Sequence, residues 1–126
     1  MSQGGGSAVL VVAPVLFLVA LHHCSVVHAA TYNVGDATGW TFGVVNWPNG
    51  KNFKAGDILV FKYDQGEHNV VLVDKAGYDS CTPAPGAKVL DSGDDKVTLA
   101  AGPNYFLCSF PQHCQPGGMK IAVTAS

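Results

Sequence analysis

The sequence predicts an all-β domain, a sandwich or a barrel, behind a short apolar leader. Three observations carry that expectation. Short runs rich in Val, Ile, Leu, Phe and Tyr recur at close spacing after residue 57. Gly, Pro and Asp punctuate the gaps between them. No segment after residue 30 sustains a 3.6-residue apolar period. Short strands set off by turn residues belong to all-β architectures rather than to alternating α/β ones.

The first element is the leader. Ala8 to Leu21 read AVLVVAPVLFLVAL, an uncharged apolar run of 14 residues. A spanning helix needs about 20, so the run is short for a membrane anchor. Val27-His28-Ala29 follows it with small residues, as at a secretory cleavage site. The expected division is a signal peptide over 1–29, cut after Ala29 or else after Ala30, and one domain over 30–126. The preceding MSQGGGS lacks the usual Lys or Arg. The C-terminal residues carry no hydrophobic tail, so neither a lipid-anchor signal nor any other membrane anchor is expected in the mature form.

The strands follow in order. Ala55-Gly56-Asp57 is a turn signal that opens a run from Ile58 to Tyr63. Asp64 to Glu67 leads into a second run, His68 to Val73. Lys75 to Tyr78 is expected as a helical turn before Cys81. Lys88 to Leu90, Lys96 to Leu99, Tyr105 to Leu107 and Lys120 to Thr124 are further short strands. Asn46 to Gly50 reads as a turn with aromatic neighbours. The sequence shows no internal repeat and no low-complexity linker.

Charge narrows the function. All 7 Lys and all 9 acidic residues lie after the leader, and the formal net charge is −2. There is no Arg. Nucleic-acid binding calls for a basic footprint, so it is not expected. No Asn-x-Ser/Thr triplet occurs, and N-glycosylation is not expected either.

Cysteine arithmetic raises the next question. Cys24 leaves with the leader, and Cys81, Cys108 and Cys114 remain. In an oxidising compartment two can pair and the third needs another use. The other soft and nitrogen donors are equally few. After residue 29 the chain holds two histidines, His68 and His113, and one methionine, Met119. Two imidazoles, a thiolate and a weak axial thioether are the donor set of a blue-copper centre. Cys108-x4-His113-x5-Met119 places three donors in one loop bent by Pro111, Pro116, Gly117 and Gly118. His68 comes from a separate segment, so loop and segment meet at one end of a sandwich. Singly, each residue has a plainer use. His68 can open a strand, Met119 can fill core, and Cys108 can be an inert thiol or pair with Cys114. Jointly, the spacing and the exhaustion of every donor type point to one copper per chain. Zinc has no use for a thioether.

Cys108-Ser109-Phe110-Pro111-Gln112-His113-Cys114-Gln115-Pro116-Gly117-Gly118-Met119 resembles the copper loop of the phytocyanins, the plant blue-copper proteins. Tyr32-Asn33-Val34-Gly35-Asp36, Gly39-Trp40, Phe53-Lys54-Ala55-Gly56-Asp57 and His68-Asn69-Val70 extend the resemblance over the mature chain. It is closest to the plantacyanin (basic blue, chemocyanin-like) branch. Met119 separates it from stellacyanins, which carry Gln there, and the full donor set from early nodulin-like proteins. The resemblance implies a two-sheet Greek-key sandwich of the cupredoxin kind with one or two short helical turns. It implies copper ligands His68, Cys108, His113 and Met119, and a disulfide from Cys81 to Cys114. The mild acidity departs from the branch, whose members are typically basic.

The expected function is single-electron transfer by a secreted, monomeric protein of the apoplast or cell wall. Its partner is a small molecule or protein that the sequence does not name. Cys108 is expected to carry the electronic coupling and an edge of His113 to face solvent. Asn69 is expected to tie the donor segments together. An oxidase is not expected, because no histidine remains for oxygen chemistry. The resemblance also suggests an alternative, a signalling or cell-wall protein of plant reproduction or development in which copper is structural.

Overall fold

The computed structural model describes residues 28–126. The expected signal segment lies outside the described residues except for His28 and Ala29. Among these residues seven strands are present: β1 (Thr31–Asn33), β2 (Ile58–Lys62), β3 (Val70–Val73), β4 (Val89–Leu90), β5 (Asp94–Thr98), β6 (Gly102–Leu107) and β7 (Lys120–Ala125). One α-helix, α1 (Lys75–Ser80), follows β3, and 3₁₀ turns occupy Asp36–Thr38 and Val44–Asn46.

The strands form the two sheets of a sandwich. One runs β1-β2-β5, with β1 parallel and β5 antiparallel to β2. The other runs β4-β3-β6-β7 and is antiparallel throughout. Leu59 and Phe61 of β2 meet Val70, Phe106, Ile121 and Val123 of the opposite sheet in one apolar cluster. Phe61 and Phe106 are fully covered, and burying a side chain of this size contributes about 1.5–3 kcal/mol.

Period-two alternation sorts the second sheet into an inner and an outer face. Val70 and Phe106 point into the main core, whereas Val71 and Leu107 join a second cluster with Cys114. Partly buried Val73, Cys81 and Ala87 complete that outer cluster. Cys108, one step beyond Leu107, therefore returns to the inner face and is fully buried. Helix α1 starts at Asp74, whose carboxylate accepts from the Gly77 N–H at 2.8 Å, a standard N-cap.

Each expected strand is present, with ends that move. The run expected from His68 begins its ladder only at Val70. His68 makes an isolated bridge to Gln65 instead, and Asn69 turns its amide to another segment. Strand β5 starts earlier than expected, at Asp94, despite the poor strand preference of aspartate. Partners for Asp95 account for this. Tyr63 Oη donates to its carboxylate, and Ser92 Oγ donates to it at 2.6 Å. Strand β1 was not expected. It is a three-residue edge strand, too short to show alternation.

Candidate metal centre

Three donors converge at one end of the sandwich. The Nδ1 atoms of His68 and His113 are 3.0 Å apart, and Cys108 Sγ is 3.4 Å from His113 Nδ1. All three donor atoms lie within 4.8 Å of one another. Among the described residues this is the one group of three or more His, Cys, Asp or Glu side chains so arranged.

Each donor is placed by its neighbours in the chain. Cys108 follows β6, and its N–H donates to the Met119 carbonyl at 3.1 Å, which prolongs the β6–β7 ladder by one step. The loop between them is tied across itself. Gly117 N–H donates to Gln112 O at 3.0 Å, Gly118 N–H to Cys114 O at 3.1 Å and Met119 N–H to His113 O at 2.9 Å. Met119 is thus bonded through its backbone to both Cys108 and His113, and its side chain is fully buried in the main core. The disulfide Cys81–Cys114 anchors the residue after His113 to the end of α1, 33 positions upstream. Cys108 is left as the free, buried thiol.

His68 reaches the same point from the other segment. Asn69, beside it, accepts from the Ser109 N–H at 2.8 Å through Oδ1 and donates to Ser109 Oγ at 2.8 Å through Nδ2. The Asn69 carbonyl accepts from the Trp40 indole N–H at 2.8 Å in the buried interior. Trp40 is itself locked edge-on against Phe61, with ring centroids 5.0 Å apart. Phe42, two residues on, lays its ring against His68 at 5.4 Å and His113 at 4.7 Å. Gly117 leaves room for it, since a Cβ there would stand 2.8 Å from Phe42 Cδ1 and 2.5 Å from the His113 carbonyl oxygen.

Exposure differs between the two imidazoles. His68 is nine-tenths buried and His113 is half-buried. The His68 imidazole is held below its ordinary pKa of 6.5, first by burial and then by the neighbouring His113. Glu67 and Asp64 act in the opposite direction. A neutral imidazole keeps its lone pair free for a metal.

The donor set fits one small soft or borderline cation. With metal–nitrogen and metal–sulfur distances of about 2.0 and 2.3 Å, the donors of one such ion lie roughly 3.3–3.7 Å apart. The observed 3.0 and 3.4 Å are within a few tenths of that, so small shifts admit the ion. Two imidazoles and a thiolate suit both oxidation states of copper.

Sequence reasoning brought together His68, Cys108, His113 and the Asn69 link. Trp40 enters the sequence reading only within the resemblance, and Phe42 does not enter it. A signal for Trp40 was available, because a buried indole N–H needs an acceptor. Nothing in the sequence marks Phe42, which is 51% exposed and acts through where the loop after Trp40 turns.

The plastocyanin-like domain family matches residues 40–119, from Trp40 to Met119. A chemocyanin of Lilium longiflorum is 54% identical over 127 aligned positions covering 100% of both chains. Among solved structures, a blue copper protein described as cucumber basic protein superposes with a TM-score of 0.75 at 52% identity, covering 77% of this chain and 100% of that one. Spinach plantacyanin superposes with a TM-score of 0.69 at 54% identity and the same coverage.

Proposed function

The chain belongs to the plastocyanin-like domain family, and on that premise we propose that it is a secreted type 1 copper protein that carries single electrons. The observation that carries the reading is the convergence of His68 Nδ1, His113 Nδ1 and Cys108 Sγ, with Met119 joined by backbone hydrogen bonds to two of those three residues. Copper in that position supplies a one-electron Cu(II)/Cu(I) couple.

The chain's own residues do the rest. Cys108, unpaired and buried, offers its sulfur as thiolate and couples the site to β6. Met119 supplies the weak fourth donor. Asn69, Trp40 and the disulfide limit how far the donor segments can part, so the frame moves little when the charge on the site changes. Phe42 packs its ring against both imidazoles. His113, the more exposed imidazole, offers one path for the electron to a partner.

We read the protein as a carrier rather than an oxidase because residues 30–126 contain no third histidine. Secretion is supported by the apolar run of residues 8–21 and by the disulfide, which belongs to oxidising compartments. The solved relatives cover 77% of the chain, about the share taken by residues 30–126. A monomer in the apoplast or cell wall accords with these features.

The test is Cu(II) titration of residues 30–126 followed by visible and electron paramagnetic resonance spectroscopy. One equivalent should generate an intense thiolate-to-copper band that bleaches on reduction and returns on oxidation. Binding without that band, or no binding, would overturn the reading.

A further inference from the structure

Beside the donor cluster, on the side away from the 108–119 loop, lies an open cleft of about 720 Å³. His68 forms part of its wall, together with the segments around Asp36, Lys62 to Glu67 and Gly93. His68 is 9% exposed, and its Nδ1 faces His113. Its other ring nitrogen, Nε2, has no hydrogen-bond partner within the protein. A buried donor candidate thus lines a concave surface while one of its ring nitrogens has no partner within the protein.

The charge lining that surface is one-sided. Asp36, Asp64, Glu67 and Asp94 line the cleft against a single lysine, Lys62. Lys96 approaches Asp94 at 3.6 Å, a solvent-exposed pair of small effect. Asp64 and Glu67 are near enough to act electrostatically on His68. Against the two imidazoles the exposed ring of Phe42 makes an apolar shoulder. An apolar contact bordered by one sign of charge favours a partner with the opposite border, and such charge steers encounter more than it tightens binding.

We propose that this cleft docks a cationic redox protein, whose lysine or arginine side chains enter among Asp36, Asp64, Glu67 and Asp94 while its redox group approaches the edge of His68. The proposal rests on the electron-carrier reading and names its partner class. No bond is made or broken. One electron passes between the partner's redox group and the copper, and one centre is reduced as the other is oxidised. His68, rather than His113 alone, then becomes a port for the electron. The carboxylates are positioning groups that act on encounter.

Two measurements test this, the first independent of electron transfer. Hexaamminechromium(III), a redox-inert trication, is titrated into isotope-labelled protein without metal and with diamagnetic Cu(I). Amide signals should broaden at residues 36–41, 62–68 and 93–94. Broadening confined to the neighbourhood of Asp74 and Asp79, or none, would overturn the proposal. The second is stopped-flow oxidation of the reduced copper protein by a lysine-rich c-type cytochrome. The double variant Asp64→Asn/Glu67→Gln should slow it roughly three- to tenfold at low ionic strength and flatten its salt dependence. The variant Asp74→Asn/Asp79→Asn makes the same change in net charge on α1, and Asn still serves as the N-cap. It should leave the rate within about twofold of the parent's, because steering depends on where the charge sits. Equal effects of the two variants would mean that net charge alone acts, and would overturn the cleft. A protein with no reversible colour change towards any reagent would refute the carrier reading itself, and is thereby distinguishable.

Discussion

Asn69 and Ser109 hold each other by two hydrogen bonds, each 2.8 Å long, although 40 residues separate them. Each is the chain neighbour of a metal-donor candidate, Asn69 of His68 and Ser109 of Cys108. The pair therefore fixes the distance between the two segments that build the centre, without either residue touching the donors' ring nitrogens or sulfur.

Asn69→Ala should show this directly. It removes both bonds and should lower unfolding free energy by about 1–3 kcal/mol. Copper retention against a chelator should fall further than for a surface substitution of equal stability cost. Trp40→Phe is the companion test, since it leaves the buried Asn69 carbonyl without its 2.8 Å donor. Urea denaturation and chelator competition measure both. If Asn69→Ala leaves copper release unchanged, the link holds the fold but not the centre.

Cys108→Ala isolates the thiolate. The side chain is fully buried, so the loss of sulfur leaves a small void costing about 1 kcal/mol. The blue band should vanish completely, while circular dichroism changes little and the metal-free unfolding midpoint falls by only about 4–8 °C. A retained intense band would remove Cys108 from the donor set.

The convergence of His68, Cys108 and His113 was legible because residues 30–126 hold so few candidates: two His and three Cys. Strands β2 and β7 were legible for a different reason, their compact apolar runs. Local pattern did not reveal features that depend on long-range pairing. Strand β1 exists because Thr31, Tyr32 and Asn33 pair in parallel with Ile58, Leu59 and Val60. Asp94 and Asp95 belong to β5 because Tyr63, 32 residues away from Asp95, supplies a hydroxyl. Phe42 covers two imidazoles only after the loop carrying it meets Gly117 through the Gly43 N–H to Gly117 carbonyl bond of 2.9 Å.

Removing the disulfide by Cys81→Ala/Cys114→Ala should lower unfolding free energy by about 3–4 kcal/mol, from the entropy of a closed loop of this length. That is a large share for a domain of this size. Because Cys114 follows His113, copper release should also quicken, whereas the strand content should persist below the new midpoint. Destabilisation under about 1 kcal/mol would mean that the hydrogen bonds within the 112–119 loop hold it unaided.

Asp57 is 4% exposed. Its carboxylate accepts from the Ala30 N–H and the Lys54 N–H, each at 2.9 Å. These two donors, Ala30 first, hold its pKa below the ordinary 3.8. A carboxyl whose folded pKa is depressed contributes stability that is complete above its unfolded value and lost as pH falls through the folded one. The acid limb of the stability profile should therefore carry an Asp57 component below about pH 4. Cleavage after Ala29 adds a second limb, because the Ala30 nitrogen then becomes the terminal ammonium. Pairing with Asp57 raises that ammonium's pKa, so its contribution is complete below about pH 7.7, the unfolded value, and is lost as pH rises through the folded one. Protein beginning at Ala30 should thus be more stable near pH 6 than protein beginning at Thr31, and Asp57→Asn should erase most of the difference. Thermal unfolding of the three proteins from pH 2 to 10 measures it. Superimposable curves for the Ala30 and Thr31 forms would show that the Asp57 carboxylate gains nothing from a charged chain end.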